Sequence, residues 1–278
     1  MTLSRLSLPL DFDTEASELG AYSMSSTLFD LSGRTALVTG GSKGLGKAMA
    51  RALAKAGASV AISSNDDELR STAAEIAQES RAKVVPLAAE MTHRGEVKRL
   101  AEQAIAALGK VDILINNAGG NTPQPIDQIT DEVWDHFVEL NLSSCMALTR
   151  ALVPQMKDRK WGRVIHISSI FAFTSFPERS VYSATKSALL GLTRASALDL
   201  GPFGITVNCI APGPFLTELT LRNFTEEARQ KFADRTALGR WGDPEELAGP
   251  VLLLASEAGS YITGTCLIVD GGATVKTL

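Results

Sequence analysis

The sequence is poor in the residues that build disulfides and metal sites. It has only three cysteines and three histidines in 278 residues, and none of them stands at metal-ligand spacing from another. The cysteines are far apart and odd in number, which argues against a disulfide framework and predicts a reducing compartment such as the cytoplasm. The sequence therefore predicts neither a structural nor a catalytic metal.

The chain also lacks a strong charge of one sign and any long apolar run. Its formal net charge is -4, which gives no electrostatic reason to expect a nucleic acid or an anionic membrane as partner. No stretch is long and apolar enough to predict a membrane span. The hydrophobic content of 45% is typical of a globular protein with a filled core. We therefore expect the partner to be a small molecule.

The first 28 residues differ from those that follow. They carry a single arginine and four acidic residues, and they have neither the apolar run of a signal peptide nor the acid-poor composition of a mitochondrial presequence. They predict an extension, mobile or packed on the surface, before a single domain over residues 29–278. Met24 would itself make a plausible start.

Short apolar runs alternate with amphipathic stretches from Arg34 onwards. This alternation predicts a single α/β domain, a doubly wound and mainly parallel sheet with helices on both faces. Ligands of such sheets bind beyond the carboxyl ends of the strands, where the strand order reverses. The seven predicted strands are TALVTG, SVAISS, KVVPLA, DILINN, RVIHIS, ITVNCIA and CLIVDGG.

A glycine-rich loop, TGGSKGLG, follows the first predicted strand and precedes a predicted helix. Glycines in that position allow a tight turn and let the backbone approach a pyrophosphate at the helix N-terminus. The context predicts dinucleotide binding. The predicted contacts in this loop are Gly40, Ser42, Lys43, Gly44, Leu45 and Gly46.

The end of the second strand indicates which dinucleotide binds. An NAD site usually has an acidic residue there to hold the ribose 2′-hydroxyl, whereas this strand ends in Ser63 and Ser64, followed by Asn65. Lys43 supplies the positive charge that a 2′-phosphate needs, and Asp66 has the position of a helix-capping residue. The sequence thus favours NADP(H). NAD(H) is the alternative if Lys43 is merely solvated and Asp66 turns inward.

The stretch VYSATK places Tyr182 four residues before Lys186 on a predicted helix. Positions i and i+4 share one helix face, so the ammonium lies near the phenol and favours its ionised form. Such a phenol can give or take a proton at neutral pH. The pair alone also fits an ordinary exposed helix face, so the interpretation depends on the other motifs.

Six motifs in one order resemble the compact branch of the short-chain dehydrogenase/reductase family. They are TGGSKGLG, NNAG, NL, ISS, YSATK and PG, and the likeness covers roughly residues 29–272. The resemblance implies a Rossmann-like fold, a nicotinamide cofactor and a catalytic tetrad. The tetrad would be formed here by Asn141, Ser169, Tyr182 and Lys186.

The resemblance also implies a role for each member of the tetrad. Ser169 would hold the substrate carbonyl oxygen, and Tyr182 would protonate it as hydride arrives. Lys186 would support the phenol and hold the nicotinamide ribose, while Asn141 would support a proton-relay water. Taken singly, Ser169 and Asn141 also fit ordinary local hydrogen bonding to the backbone.

The resemblance implies further contacts with the cofactor. Residues of NNAG would pass beneath the adenosine ribose, and the adenine edge is taken here by a glutamate and a methionine, where the family more often has aspartate and a small apolar residue. The loop after PG would approach the nicotinamide carboxamide. The residues concerned are Asn117, Ala118, Gly119, Glu90, Met91, Pro212, Gly213, Phe215 and Thr217, with Tyr182 and Lys186.

The substrate is the least determined part of this interpretation. The motifs look most like sugar-acid reductases such as gluconate 5-dehydrogenase, with bacterial 3-oxoacyl-carrier-protein reductases as the alternative. Residues 214–238 predict an amphipathic lid. Three phenylalanines before Tyr182 either line a pocket or belong to the core: Phe171, Phe173 and Phe176. The candidates for a sugar-carboxylate clamp are Arg179, Arg222 and Arg240, each of which also fits a surface charge.

One alternative of another class remains at this level. A non-catalytic regulatory protein that binds the cofactor would share every nucleotide-binding motif. The resemblance also implies a homotetramer, and two helices rich in apolar residues, around SALLGLTRASALDLG and PEELAGPVLLLAS, fit burial between subunits as well as burial against a covered sheet.

Overall fold

A computed structural model of the chain describes residues 28–276. The predicted N-terminal extension over residues 1–28 lies outside the described residues except for Leu28. Within residues 28–276, no helix combines the length and the apolarity that crossing a bilayer requires.

Seven parallel strands form one sheet in the order β3-β2-β1-β4-β5-β6-β7, which confirms the predicted fold. The chain crosses from one edge to the middle between β3 and β4, so the strand order reverses between β1 and β4. A ligand crevice is expected at that place, at the carboxyl ends of the strands. The strands are β1 (Thr35–Thr39), β2 (Ser59–Ser64), β3 (Val84–Ala88), β4 (Ile113–Asn116), β5 (Gly162–Ile167), β6 (Ile205–Pro212) and β7 (Cys266–Val269).

Helices follow the strands and cover both faces of the sheet. Six of them pack on one face or the other, and two short ones lie in the predicted lid. The helices are α1 (Gly44–Lys55), α2 (Leu69–Ser80), α3 (Arg94–Leu108), α4 (Asp131–Val138), α5 (Ser144–Arg159), α6 (Ser180–Leu200), α7 (Glu218–Asn223), α8 (Glu226–Ala233) and α9 (Ala248–Ala255).

The sheet separates two apolar cores because successive side chains of a strand point to opposite faces. Val38 and Ile115 belong to the core under α1, α2 and α9. Leu37 and Leu114 belong to the core under α3, α5 and α6. The centres of β1 and β4 are therefore continuous apolar runs, residues 36–38 and 113–115, as is typical of strands covered on both faces. The edge strand β3 tolerates Pro86, which donates no ladder hydrogen bond.

One irregular turn interrupts the helical segment before β5. Residues Glu139–Ser143 form a π-helix between α4 and α5. A π turn inserts one residue into the helix and reorients the side chains around it, and such turns are frequent at functional sites. The predicted tetrad residue Asn141 lies in this turn.

Candidate active site

The glycine loop forms an open cradle at the end of β1. Gly40 and Gly44 have φ values of +62° and +50°, which favour glycine. A Cβ on Gly46 would lie 2.0 Å from the carbonyl oxygen of Gly40, so the loop closes on α1 only without a side chain there. In the described part of the chain no side chain caps the N-terminus of α1. These free N–H groups fit the pyrophosphate of a dinucleotide.

Asn117 holds the glycine loop against the end of β4. Its Nδ2 donates to the carbonyl oxygens of Thr39 and Gly40, at 2.8 and 3.1 Å. The backbone N–H groups of Asn117 and Ala118 both donate to the Thr39 hydroxyl, at 3.0 Å. The NNAG segment therefore braces the loop in addition to any contact with the cofactor.

Asp66 turns toward the glycine loop, as the NAD(H) alternative supposes, and its Oδ1 also accepts a hydrogen bond from the backbone N–H of Glu68, just before α2, at 3.1 Å. Its carboxylate accepts hydrogen bonds from Ser42 Oγ at 2.7 Å and from Ser64 Oγ at 2.8 Å. Burial raises its pKa, but the two hydroxyls and the charge of Lys43 outweigh burial and leave the pKa below its usual value. An ionised carboxylate thus lies at the place predicted for a 2′-phosphate. The cause is the tertiary approach of Ser42, which the local sequence does not show.

Lys43 is engaged by two carboxylates. Its Nζ lies 2.9 Å from Glu68 and 3.8 Å from Asp66. The hydrogen bond to Glu68 is the main reason that the pKa of Lys43 is raised. The lysine therefore remains cationic, and a phosphate would have to compete with these carboxylates for it.

The remaining residues predicted around the adenosine half lie at the ends of β2 and β3. Ser63 is buried, and its hydroxyl has no hydrogen-bond partner within residues 28–276. Asn65 donates to the Glu90 carboxylate at 2.6 Å, and Met91 is buried in the core under α3. The crevice next to β2 thus offers one buried hydroxyl, an amide and a carboxylate.

Asn141 is completely buried, and its side-chain amide bonds to the loop after NNAG. The N–H of Gly120 donates to Asn141 Oδ1 at 2.9 Å, and Nδ2 donates to the carbonyl oxygen of Gly120 at 3.0 Å. The same Nδ2 reaches Thr185 Oγ1 at 3.2 Å. The π-helix aims this amide at both the loop and α6.

Tyr182 and Lys186 lie on the first turns of α6, beside the end of β5. Lys186 is buried, and its Nζ donates to the carbonyl oxygen of Ile167 at 2.8 Å. The Nζ lies 5.6 Å from the centroid of the Tyr182 ring. The Ser168 hydroxyl donates to the carbonyl oxygen of Lys186 at 2.8 Å. The strand end therefore fixes the helix that carries the predicted acid.

Ser169 follows β5 directly and begins a short 3-10 turn. Its hydroxyl oxygen accepts a hydrogen bond from the N–H of Phe171 at 3.2 Å, and the side chain is largely buried. Phe171 in turn meets the Tyr182 ring edge-on, with centroids 6.1 Å apart. Ser169 and Tyr182 are thus joined through the turn between them.

Gly119 lies between two members of the predicted tetrad. A Cβ on this residue would come 3.0 Å from Asn141 Oδ1 and 3.2 Å from Lys186 Nζ. The backbone at the end of β4 therefore approaches both side chains, and β4, α6 and the π-helix meet at one place.

The loop after β6 closes over the glycine loop. Gly213 donates its N–H to the carbonyl oxygen of Val269 at 2.9 Å, continuing the pairing that Pro212 makes with β7. Thr217 caps α7, and its Cγ2 would be 3.3 Å from a Cβ on Gly44. The Phe215 ring is buried in the core, so this residue can approach a cofactor only through its backbone.

A chain of aromatic rings leads from Tyr182 into the predicted lid. Phe176 lies 5.3 Å from Phe171 and 5.5 Å from Phe232 of α8, measured between ring centroids. Phe173, by contrast, is 48% exposed. Sequence reasoning missed the further rings of this chain, because their spacing gave no signal that Phe232 would meet Phe176. The missed rings are Phe224, Phe232 and Trp241.

A buried histidine beside the site was also missed. His166 of β5 pairs through Nδ1 with Asn116 Nδ2 at 3.1 Å, and its Nε2 has no partner among the described residues. Burial, and secondly the charge of Lys186, lowers the pKa of His166 to about 4. The imidazole is therefore neutral near pH 7 and does not act as a proton donor there.

The fold and this crevice define a class of protein, the nicotinamide-dependent oxidoreductases with a Rossmann-like fold. The family described as enoyl-(acyl carrier protein) reductase matches residues 40–274, and the chain belongs to this family of short-chain dehydrogenases/reductases. The resemblance inferred from the six motifs is thus confirmed, and the chain is an NAD(P)-dependent enzyme.

The relatives include several kinds of reductase. The uncharacterized oxidoreductase YgcW of Escherichia coli (strain K12) is 37% identical over 93% of this chain and 98% of its own. The gluconate 5-dehydrogenase of Gluconobacter oxydans is 35% identical over 90% of this chain and 98% of its own. A structure of a 3-oxoacyl (acyl-carrier-protein) reductase from Agrobacterium tumefaciens with NADP bound is 33% identical, with a TM-score of 0.86, and covers 91% of this chain and 99% of that chain.

Proposed function

We propose that the protein is an NADP(H)-dependent oxidoreductase that interconverts a carbonyl group and a secondary alcohol, with Tyr182 as the acid and base. The observation that carries the proposal is the meeting of Asn141, Tyr182 and Lys186 around the end of β4 and β5, next to an open glycine cradle. A proton donor beside a dinucleotide cradle is the arrangement that hydride transfer to a carbonyl requires.

Each side chain of the tetrad has a distinct task in this proposal. A bound nicotinamide would supply or accept the hydride. Ser169 holds the substrate oxygen, and the Tyr182 hydroxyl donates a proton to that oxygen during reduction and takes it back during oxidation. Lys186 places a positive charge beside the phenol and supports a cofactor ribose. Asn141 keeps the loop after β4 in place and supports the path by which Tyr182 is reprotonated.

The cofactor half of the proposal rests on the donors around the end of β2. The groups proposed to bind a 2′-phosphate are the ammonium of Lys43, the hydroxyls of Ser42 and Ser63, and the amide of Asn65. The relative from Agrobacterium tumefaciens binds NADP. Asp66 opposes this preference through its negative charge. We therefore propose that the protein prefers NADPH to NADH, but by less than it would if Lys43 acted without Asp66 beside it.

We propose a sugar acid or a similar polyhydroxy keto compound as the substrate. The similarity to gluconate 5-dehydrogenase supports this choice. Arg240 is not available as a carboxylate clamp because Glu246 binds its guanidinium at 2.7 and 2.8 Å. Arg179 and Arg222 remain the candidates for the clamp.

A 3-oxoacyl thioester is the second candidate substrate. The aromatic chain from Phe171 through Phe176 to Phe232 favours it, because these rings offer an apolar wall to an acyl group rather than hydrogen bonds to hydroxyls. The two substrates would therefore use different residues: arginines would bind a sugar carboxylate, and the aromatic rings would contact an acyl group.

A screen of carbonyl compounds with the purified protein tests the proposal. NADPH oxidation is followed with keto-sugar acids, 3-oxoacyl thioesters and the activated dicarbonyl phenanthrenequinone. Turnover of the keto-sugar acids supports the first substrate, and preference for the thioesters supports the second. Tight nucleotide binding without turnover of any compound would instead favour the non-catalytic regulatory protein.

We also propose that the protein is a homotetramer and that it is located in the cytoplasm. Residues 214–238 are proposed to act as a lid that closes over the substrate. A groove of about 530 Å³ between α5 and α6 is lined partly by Met146, Val153 and Leu192, and Leu198 of α6 is 80% exposed. The groove also carries Arg150, Lys157, Asp158 and Asp199, and a surface of mixed apolar and charged residues fits a subunit contact. The three free cysteines support a reducing compartment. Sedimentation of the pure protein as a monomer would contradict the tetramer.

A further inference from the structure

Thr185 is a buried threonine of α6 that joins two members of the predicted tetrad. It is 2% exposed. Its Oγ1 lies 3.2 Å from Asn141 Nδ2 and 3.0 Å from the carbonyl oxygen of Tyr182. An amide N–H can only donate and a carbonyl can only accept, so the hydroxyl accepts from Asn141 and donates to Tyr182. The direction of both hydrogen bonds is therefore determined.

Asn141 needs the Thr185 hydroxyl to pair its second Nδ2 hydrogen, because its other hydrogen bonds go to Gly120. Gly120 donates to Oδ1 and accepts from Nδ2, at 2.9 and 3.0 Å. These two bonds fix which end of the amide faces the loop and leave the second Nδ2 hydrogen to Thr185. Without the hydroxyl, that hydrogen would be buried and unpaired, since Asn141 is completely buried. A buried amide in that state shifts or rotates to find another partner.

A shift of the Asn141 amide would change the surroundings of the Lys186 ammonium. A Cβ on Gly119 would lie 3.0 Å from Asn141 Oδ1 and 3.2 Å from Lys186 Nζ. The two polar atoms thus lie beside the same backbone position. The carbonyl of Tyr182, which Thr185 also holds, belongs to the residue that carries the phenol. Two paths therefore connect the Thr185 hydroxyl to the tyrosine and lysine pair.

We propose that Thr185 is a positioning residue that holds Asn141 and the first turn of α6 in the geometry needed for proton transfer. It touches neither the substrate nor the reacting atoms, and it acts through Asn141 and the α6 backbone. This inference rests on the proposed function, because it assigns a task within the same proton-transfer site.

Replacement of the hydroxyl by a methyl group tests the inference. Thr185→Val keeps the shape and removes both hydrogen bonds, while Thr185→Ser keeps the hydroxyl. Thr193→Val is the matched control, since Thr193 lies on the same helix, is 1% exposed and has its Oγ1 2.9 Å from Cys209 Sγ. Thr193→Val also replaces a hydroxyl with a methyl group, but at a position that does not contact Asn141. Thr185→Ala serves if the valine variant does not fold.

The kinetic constants are measured with phenanthrenequinone and with the best compound of the screen. We expect Thr185→Val to lower kcat about 10- to 100-fold, as for a small misplacement of reacting groups, with KM for NADPH changed less than about threefold. Thr185→Ser should recover most of the turnover. Thr193→Val should keep kcat within about threefold of the wild type, even if it lowers Tm as much as Thr185→Val.

The possible outcomes separate this inference from the proposed function. Equal kcat values for Thr185→Val and Thr193→Val, in an enzyme that Tyr182→Phe inactivates, would overturn the role of Thr185 and leave the proposed function intact. A Thr185→Ser variant as slow as Thr185→Val would overturn it as well, because the hydroxyl would not be the cause. A wild-type protein that reduces no carbonyl would overturn both.

Discussion

Removing the charge of Asp66 should strengthen NADPH binding. The carboxylate lies 2.7 Å from Ser42 Oγ, 2.8 Å from Ser64 Oγ and 3.8 Å from Lys43 Nζ. A 2′-phosphate that uses the same hydroxyls and the same ammonium must come close to this negative charge. Asp66→Asn keeps the shape of the side chain and removes the repulsion.

The magnitude follows from the distance and the partial exposure of Asp66. Two unit charges about 5 Å apart repel by about 0.8 kcal/mol in water and by about 3 kcal/mol at an effective dielectric constant of 20. The Asp66 side chain is 29% exposed, so we take a net value of about 1–2 kcal/mol after screening. The expected decrease in the Kd of NADPH is about 5- to 30-fold.

A fluorescence titration with NADPH and NADH measures the effect. Asp67→Asn is the matched control, because this neighbouring residue is exposed and loses the same charge. The difference between the two variants should shrink at high salt. A Kd for NADPH that is the same in both variants would refute the reasoning. Weaker NADH binding by Asp66→Asn would show instead that the carboxylate holds a ribose hydroxyl, as in NAD sites.

Two further predictions concern the cradle and the buried histidine. Gly46→Ala should weaken dinucleotide binding at least about 100-fold, because the added Cβ would lie 2.0 Å from the carbonyl oxygen of Gly40 and the loop must open. Gly95→Ala is the control in the fluorescence titration with NADPH, because Gly95 has open space around it. Burial is the main reason that the pKa of His166 is lowered to about 4 in the folded chain. In the unfolded chain the imidazole has a pKa of about 6.5 and is protonated first as the pH falls. The free energy of unfolding therefore decreases as the pH drops below about 6.5. Urea unfolding should show a loss of about 2 kcal/mol from this group between pH 7 and pH 5; the loss should be missing in His166→Asn and retained in His136→Asn, whose imidazole is exposed.

The sheet was predictable because its strands are covered on both faces. Runs such as TALVT and ILIN have an apolar centre and are fully buried, so they stand out between amphipathic helices. The glycine loop was predictable for a steric reason, since Gly46 has no room for a side chain. These features depend on local sequence and on burial, which the pattern of residues records.

The adenosine side of the site was predicted less well. The turn of Asp66 toward the glycine loop depends on Ser42, which is distant in sequence and reaches it only in the folded chain. The π turn around Asn141 likewise has no composition signal, since ELNLS is compatible with an ordinary helix. Phe232 meets Phe176 only because α8 packs against the segment after β5 in the folded chain. Contacts of this kind come from tertiary packing, which overrides local propensity.

The most direct test of the account is the turnover of Tyr182→Phe. Phenylalanine keeps the ring beside Phe171 and Lys186 and removes only the hydroxyl. We predict that kcat falls at least about 100-fold, the usual contribution of a positioned general acid, while the Kd of NADPH stays within about threefold. Tyr261→Phe, at a fully exposed position, should behave as the wild type. A Tyr182→Phe enzyme that retains more than about a third of the wild-type kcat would contradict the claim that Tyr182 transfers the proton.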